Sequence, residues 1–213
     1  MAVTVIPAIL TDDLTDLTSK LRRIESCASH VHLDVADGRF VSSTTLPLAT
    51  LVQATTSLVT DFHLMVADPL GEVAQQIFPA KSRVVVHVEA LTDPAMTAKF
   101  IDLMKPWLDL AINPDTPLAP YLALMAQVGR VQVMGVEPGQ QGAAFIPTTT
   151  QRVREIRVTH PELEITVDGG VNRKNITELV GAGADYLVVG SAIWKTDDPV
   201  AAYQELVDLT QSV

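Results

Sequence analysis

The sequence predicts an α/β fold of the (β/α)8 barrel class, the TIM barrel, because strand-like and helical segments alternate along all 213 residues. Eight runs rich in valine, isoleucine and leucine recur roughly every 25 residues, and eight strand–helix units are the number that closes a barrel. Hydrophobic residues form 47% of the chain but aromatic residues only 5%, so the core must be aliphatic, as in a buried parallel sheet. An open, doubly wound sheet is the alternative.

The boundaries of these elements follow from hydrophobic periodicity and from helix-start signals. The predicted strands are 3–10, 31–37, 61–66, 83–89, 108–114, 130–138, 164–170 and 185–191, and the clearest helices are 14–27, 69–80, 94–105 and 175–183. Each of Asp68, Asp93 and Asp198 precedes a proline, and aspartate caps a helix while proline suits its first position. Since no linker interrupts the pattern, we expect one domain over residues 1–213.

The composition excludes several classes of partner. The formal net charge is −10, which argues against binding to nucleic acid or to an anionic membrane surface. No apolar run reaches the length of a membrane span. Cys27 is the only cysteine, so the chain forms no internal disulfide, as is usual for proteins of the reducing cytoplasm. We therefore expect a cytoplasmic protein that acts on small molecules.

Polar side chains interrupt the apolar strands near their carboxyl ends, where a (β/α)8 barrel places its active site. His32 and Asp34 lie two residues apart and so point to the same side of the second strand. The other polar residues at this rim are His63 on the third strand, His87 and Glu89 on the fourth, Glu137 on the sixth and Asp168 on the seventh. A single buried histidine is more often a hydrogen-bonded core residue than a ligand. Two histidines and two aspartates among the polar residues of one rim instead predict one divalent metal ion, Zn, Fe, Mn or Co. His87, on the fourth strand, is interpreted as a core residue or as support for a ligand.

Glycines follow the last three predicted strands. In such barrels, backbone N–H groups of these loops frequently bind a phosphate, and glycine allows the close approach. Ordinary turns are the alternative interpretation of each single glycine. The candidate phosphate-binding residues are Gly139, Gln140, Gln141, Gly142, Gly169, Gly170, Gly190 and Ser191.

Long segments along nearly the whole chain resemble the ribulose-phosphate 3-epimerase family. They are VHLDVADGRFV, DFHLMVADP, VVVHVEA, VQVMGVEPGQQGAAFIP and ITVDGGVNRKNITELVGAGADYLVVGSAIW. The resemblance implies a ribulose-phosphate-binding barrel that interconverts ribulose 5-phosphate and xylulose 5-phosphate, a reaction of the pentose phosphate pathway. It also implies a homo-oligomer, a dimer or larger.

The resemblance assigns roles to the candidate residues. His32, Asp34, His63 and Asp168 correspond to the metal ligands of the family, and Asp34 and Asp168 to its two acid/base residues. The implied substrate-binding residues are His32, His63, Met65, Met134, Gly139, Gln140, Gln141, Gly142, Gly169, Gly170, Gly190 and Ser191. Two bases on opposite sides of one carbon are the simplest way to remove a proton from one face and return it to the other through an enediolate.

The sequence departs from the family pattern around the substrate. Ala8 stands where the family usually has serine, and Ala36 where it usually has methionine. Gln140 and Gln141 replace the usual Phe-Gly, and Val41-Ser42-Ser43 follows where Asn and Pro are expected. The ligand set is intact while the residues around it differ, so these changes affect the identity of the sugar more than the chemistry.

Three functions remain open. The first is a metal-dependent epimerase of ribulose 5-phosphate. The second is an epimerase of a six-carbon ketose phosphate of the allulose 6-phosphate type, because Ala8 and Ala36 would enlarge the pocket. The third is a barrel that binds metal and sugar phosphate without turnover, although such a protein would not need paired carboxylates on two strands.

Overall fold

The computed structural model describes residues 3–54 and 56–211, so the remaining residues of the predicted domain 1–213 lie outside the described residues. It contains the closed barrel that the alternation of strands and helices predicts, with strand order β1 to β8 and parallel pairing throughout. The strands are β1 (Thr4–Ile9), β2 (His30–Ala36), β3 (Val59–Met65), β4 (Ser82–His87), β5 (Leu108–Ile112), β6 (Arg130–Met134), β7 (Glu164–Asp168) and β8 (Tyr186–Val189).

Helices connect the strands on the outside of the barrel. They are α1 (Leu14–Ile24), α2 (Leu48–Leu51), α3 (Pro69–Ala74), α4 (Pro94–Met104), α5 (Leu122–Met125), α6 (Thr148–Thr159), α7 (Ile176–Ala182), α8 (Ser191–Trp194) and α9 (Pro199–Thr210). The helix starts at Asp68, Asp93 and Asp198 are confirmed, since each carboxylate accepts at least one hydrogen bond from a first-turn amide and each next residue is proline. None of the described helices is both long and apolar enough to cross a bilayer.

The predicted elements are mostly longer than the observed ones. The sixth strand, predicted to run to residue 138, ends at Met134, and the fourth ends at His87 before a short 3-10 turn over Val88–Ala90. The helix predicted over 69–80 ends at Ala74. Pro79 disfavours helical backbone at the preceding residue, so that helix had to end before residue 80.

The strands separate an apolar outer layer from a partly polar barrel interior. In β3, Phe62 and Leu64 are buried in the large apolar cluster between strands and helices. Asp61 and His63 alternate with them and point into the barrel, where both are buried. The interior therefore carries polar side chains at two levels, one near each end of the strands.

At the amino ends of the strands, the interior charges pair with one another. Arg130 Nη2 lies 2.7 Å from Asp61 Oδ2 and 2.5 Å from Asp109 Oδ2, and Arg83 Nε donates to Asp109 Oδ2 at 2.8 Å. The Arg130 guanidinium also lies 4.8 Å from the centre of the Tyr186 ring. We call Asp61, Arg83, Asp109 and Arg130 the ion-pair cluster.

Candidate active site

The four residues predicted as metal ligands lie together in the barrel interior near the carboxyl ends of the strands. His32 and Asp34 belong to β2, His63 to β3, and Asp168 is the last residue of β7. Asp34 pairs in register with His63. One ligand atom from each of the four lies within 4.8 Å of the other three. We call this group the His/Asp cluster.

The distances within the His/Asp cluster fit a small cation. His63 Nδ1 lies 3.0 Å from Asp34 Oδ1 and 3.4 Å from Asp168 Oδ2. His32 Nε2 lies 3.6 Å from each of the same two oxygens. Two ligand atoms that each lie about 2.1 Å from one ion are at most about 4.2 Å apart, so these four separations allow a shared ion. Two nitrogen and two oxygen donors at these separations suit a divalent ion such as Zn, Fe, Mn or Co.

His32 gives a second reason to place a ligand here. Its side chain is fully buried, yet neither ring nitrogen has a hydrogen-bond partner among the described residues. Nδ1 is 4.0 Å from Asp61 Oδ2, beyond hydrogen-bonding range. A buried polar group without a partner costs about 1–3 kcal/mol. The position of Nε2 beside two carboxylates is therefore best explained by a ligand that it binds.

His63 is held by a chain of polar groups. Its Nε2 lies 2.8 Å from His87 Nε2, and His87 Nδ1 lies 3.5 Å from Glu89 Oε2. If His63 uses Nδ1 as a ligand atom, its Nε2–H donates to His87, whose Nδ1–H then points to Glu89. Metal-binding histidines are usually oriented in this way by a partner of the other ring nitrogen. The interpretation of His87 as support for a ligand agrees with this geometry.

Gln132 holds Asp168 in the cluster. The Gln132 side-chain amide, from β6, donates to Asp168 Oδ2 at 2.9 Å and lies 3.5 Å from Met134 Sδ. Sequence reasoning considered only the end of the sixth strand and missed this residue. A glutamine flanked by two valines in a buried strand was the available signal, because a buried amide needs partners.

Burial changes the protonation of the cluster. It raises the pKa of the Asp34 carboxyl to about 6, against the opposing effect of His32 and His87. It also raises the pKa of Asp168, with His32 and His63 opposing. Burial lowers the pKa of His63 well below its usual value, and the neighbouring His87 lowers it further. His63 is therefore neutral, the form in which a ring nitrogen can bind a metal, and both carboxyls are stronger bases than in water.

A pocket opens above the His/Asp cluster and is lined by most of the predicted substrate-binding residues. Its floor includes Asp34, His63 and Asp168, with Met65 and Met134 beside them. Its other walls are Ala8, Leu10, Val136, Gly139, Gln140, Gln141, Gly142, Gly169, Gly170, Val171, Gly190 and Ser191. His32 is buried beneath this surface, and Ala36 is not among the lining residues. The predicted acid/base residues and the predicted phosphate loops thus face one cavity.

Gly170 shows why the loop after β7 needs glycine. Its φ is +69°, in the region that side chains disfavour, and an added Cβ would lie 2.8 Å from Phe145 Cα. The positive φ and the close approach to Phe145 both require glycine, and glycine lets the 169–170 turn pack directly against the segment before α6. At this turn the wall of the pocket therefore carries no side chain.

An eight-stranded parallel barrel with two carboxylates, two histidines and a glycine-lined pocket on its carboxyl-end rim defines a class, the (β/α)8 barrel enzymes. A sequence model described as the ribulose-phosphate 3 epimerase family matches residues 4–194. The chain belongs to this family, whose named members are isomerases of carbohydrate phosphates.

Curated relatives align with this chain over almost their whole length. The ribulose-phosphate 3-epimerase of Mycobacterium bovis is 35% identical over 206 residues, which covers 94% of this chain and 90% of the relative. The enzyme of the same name from Helicobacter pylori is 32% identical, with 98% and 99% covered. A rice relative, 30% identical, is named as the cytoplasmic isoform. The resemblance seen in the sequence motifs is confirmed.

Solved structures match the fold at low identity. A 3-hexulose-6-phosphate synthase has a TM-score of 0.70 and 19% identity, covering 97% of this chain and 99% of that one. Orotidine 5'-monophosphate decarboxylase from Sulfolobus solfataricus has a TM-score of 0.62 and 14% identity, covering 99% and 98%. These likenesses confirm the barrel fold.

Proposed function

We propose that this family member is a divalent-metal-dependent 3-epimerase that interconverts ribulose 5-phosphate and xylulose 5-phosphate. The observation that carries the proposal is the pair Asp34 and Asp168, two buried carboxylates from β2 and β7 that face one pocket. The names of the relatives support the choice of substrate.

The two carboxylates would transfer the proton. Their strands are three positions apart in the closed ring, so the carboxylates approach the pocket floor from different sides. One removes the proton from the carbon next to the ketone, and the other returns a proton to the opposite face. In the reverse reaction the roles exchange. Raised pKa values suit both groups to this exchange near neutral pH.

His32, Asp34, His63 and Asp168 would hold the metal. A divalent ion there supplies positive charge against the negative charge that develops on the substrate oxygens when the proton leaves. Gln132 keeps Asp168 oriented, and His87 keeps His63 oriented. Met65 and Met134 give the reacting carbon an apolar neighbour and limit access of water.

The glycine loops would bind the phosphate. Residues 139–142, 169–170 and 190–191 line the wall of the pocket. Their N–H groups suit a phosphate dianion, since backbone donors bind an anion even in a chain of net charge −10. The phosphate would thereby fix the distance from the sugar's third carbon to the carboxylates.

A six-carbon ketose phosphate is the second candidate. Ala8 lines the pocket, and its small side chain leaves room there that a larger residue would fill. Ala36 supports this less, because it lies outside the lining residues.

The function is tested by isotope exchange with a panel of sugars. The purified protein, with its metal content measured by elemental analysis, is incubated in D2O with ribulose 5-phosphate, allulose 6-phosphate and unphosphorylated ribulose. We expect deuterium at C3 and formation of the epimer with the pentulose phosphate, and loss of both after treatment with a chelator. Faster turnover of the hexulose phosphate would favour the second candidate. Binding without exchange would indicate a non-catalytic barrel.

We also propose that the protein acts in the cytoplasm as a homo-oligomer. The rice relative's name supports the compartment. The lone cysteine, Cys27, is consistent with it. Size-exclusion chromatography with light scattering tests the oligomeric state, and a monomer at micromolar concentration would contradict the proposal.

A further inference from the structure

Lys195 places its ammonium group beside the glycine loops. The residue follows α8, and its Nζ lies 3.0 Å from the point where a Cβ on Gly142 would be. Ser191 Cβ lies 3.8 Å from the same point. Both Gly142 and Ser191 line the pocket. The ammonium therefore sits against the backbone at the edge of the candidate phosphate site.

No group among the described residues pairs with this ammonium. Within the described part of the chain, the Lys195 ammonium takes part in none of the ion pairs, whereas Lys20 pairs with Asp16 at 2.6 Å. The described residues that line the pocket include neither lysine nor arginine. A phosphate dianion entering a chain of net charge −10 would meet no other cation on these walls.

The backbone of Lys195 is fixed even though its side chain is exposed. The Trp194 indole N–H donates to the Ala8 carbonyl at 2.5 Å, and Ile193 is fully buried. The Lys195 amide donates to the Ser191 carbonyl at 3.0 Å. The side chain of Lys195 extends over Gly142 toward the pocket. Gly142 has no side chain that would block this path.

We infer that the Lys195 ammonium binds the phosphate group of the substrate and selects phosphorylated over neutral ketoses. The inference rests on the proposed function for the sugar, but its phosphate contact does not require turnover. Backbone N–H groups position the anion, and Lys195 adds the charge that they lack.

The test compares Lys195→Gln and Lys195→Arg with Lys99→Gln, a matched charge change on the exposed surface of α4. We expect Lys195→Gln to raise KM for ribulose 5-phosphate about two- to fivefold, as for an exposed charge-assisted pair, with kcat changed less than about twofold. The salt dependence of KM should weaken. Lys195→Arg should keep most of the affinity, and Lys99→Gln should leave KM unchanged.

A titration with inorganic phosphate, followed by tryptophan fluorescence, separates this inference from the proposed function. Weaker phosphate binding by Lys195→Gln supports the inference even if no ketose phosphate is epimerised. Equal phosphate binding and equal KM in Lys195→Gln and the original protein would overturn it, as would the absence of phosphate binding in the original protein. An equal increase of KM in Lys99→Gln would also overturn the inference, because the effect of Lys195→Gln would then come from the change in net charge and not from a contact with the phosphate.

Discussion

The two ends of the barrel interior both bury charged groups, but they satisfy them differently. At the amino end, Asp61 and Asp109 meet Arg83 and Arg130, so two carboxylates are matched by two guanidinium groups. At the carboxyl end, the partners of Asp34 and Asp168 among the described residues are histidines and, for Asp168, the Gln132 amide, with no guanidinium group, and His63 is neutral. The ion-pair cluster is complete within the chain, whereas the His/Asp cluster is not.

The difference separates charges that hold the fold from charges that serve a reaction. Breaking a buried ion pair by removing one partner typically costs 3–5 kcal/mol, because a charge stays behind. Two unmatched buried carboxylates impose a cost on folding, and a bound cation would offset it. Substitutions at the amino end should therefore reduce stability, and substitutions at the carboxyl end should reduce activity.

The largest expected effect is on catalysis by the two carboxylates. Asp34→Asn and Asp168→Asn keep the side-chain shape but remove the base, so each should lower kcat by at least ~10²–10⁴-fold. In the metal-free protein the melting temperature should stay the same or rise, because a buried charge is removed. Steady-state assays and calorimetry measure the two quantities.

Each aspartate is also a proposed ligand, so only preparations that retain metal test the base. A metal-loaded variant could still exchange the substrate proton with D2O from one face while failing to epimerise. Epimerisation at the original rate by either metal-loaded variant would rule out the two-base mechanism.

The second largest expected effect is a loss of stability without a loss of activity, at the amino end of the barrel. Arg130→Met leaves Asp61 without its guanidinium partner and deprives Asp109 of one of two, so the free energy of unfolding should fall by about 3–5 kcal/mol. Well below the lowered melting temperature, kcat should stay within about threefold of the original value. Denaturant unfolding and assays at low temperature provide the comparison. A variant that is as stable as the original but inactive would reverse the roles assigned to the two ends.

Metal binding distinguishes the members of the carboxyl-end cluster. His32→Ala and His63→Ala should remove the divalent ion, because each deletes one of four ligands. His87→Ala should leave the ion bound with an affinity about 10- to 100-fold lower, the usual effect of removing the partner of a ligand. Elemental analysis and competition with a chelator measure both. Full occupancy in both ligand variants would refute the metal site.

The sequence predicted the barrel and the His/Asp cluster for a physical reason. Polar residues in apolar strands are visible in one dimension, and parallel strands bring their carboxyl ends to one rim. The polar residues of this rim could be found in this way, and the family resemblance selected His32, Asp34, His63 and Asp168 among them as the ligands.

Contacts between residues of distant strands could not be predicted from the sequence pattern. The pairing of Arg130 with Asp61 depends on register across the barrel, and in the sequence both residues look like ordinary strand termini. Gln132 was overlooked because its partner, Asp168, is 36 residues away. The contact of Lys195 with Gly142 depends on the geometry of two loops, which periodicity does not encode.

The smallest expected effect compares one substitution at the two ends. An added Cβ at Gly190 would lie 3.5 Å from Gln141 Nε2 and 3.9 Å from Ala8 Cβ, inside the pocket, whereas at Gly129, just before β6 at the amino end, it would meet nothing within 4 Å. Gly190→Val should place its methyl groups where the phosphate would bind and raise KM roughly tenfold or more, about 1.4 kcal/mol of binding energy. Gly129→Val should leave KM unchanged. Circular dichroism shows whether both variants remain folded. Normal substrate binding by folded Gly190→Val would place the phosphate elsewhere, and an equal KM increase in Gly129→Val would mean that the effect comes from the fold and not from the pocket.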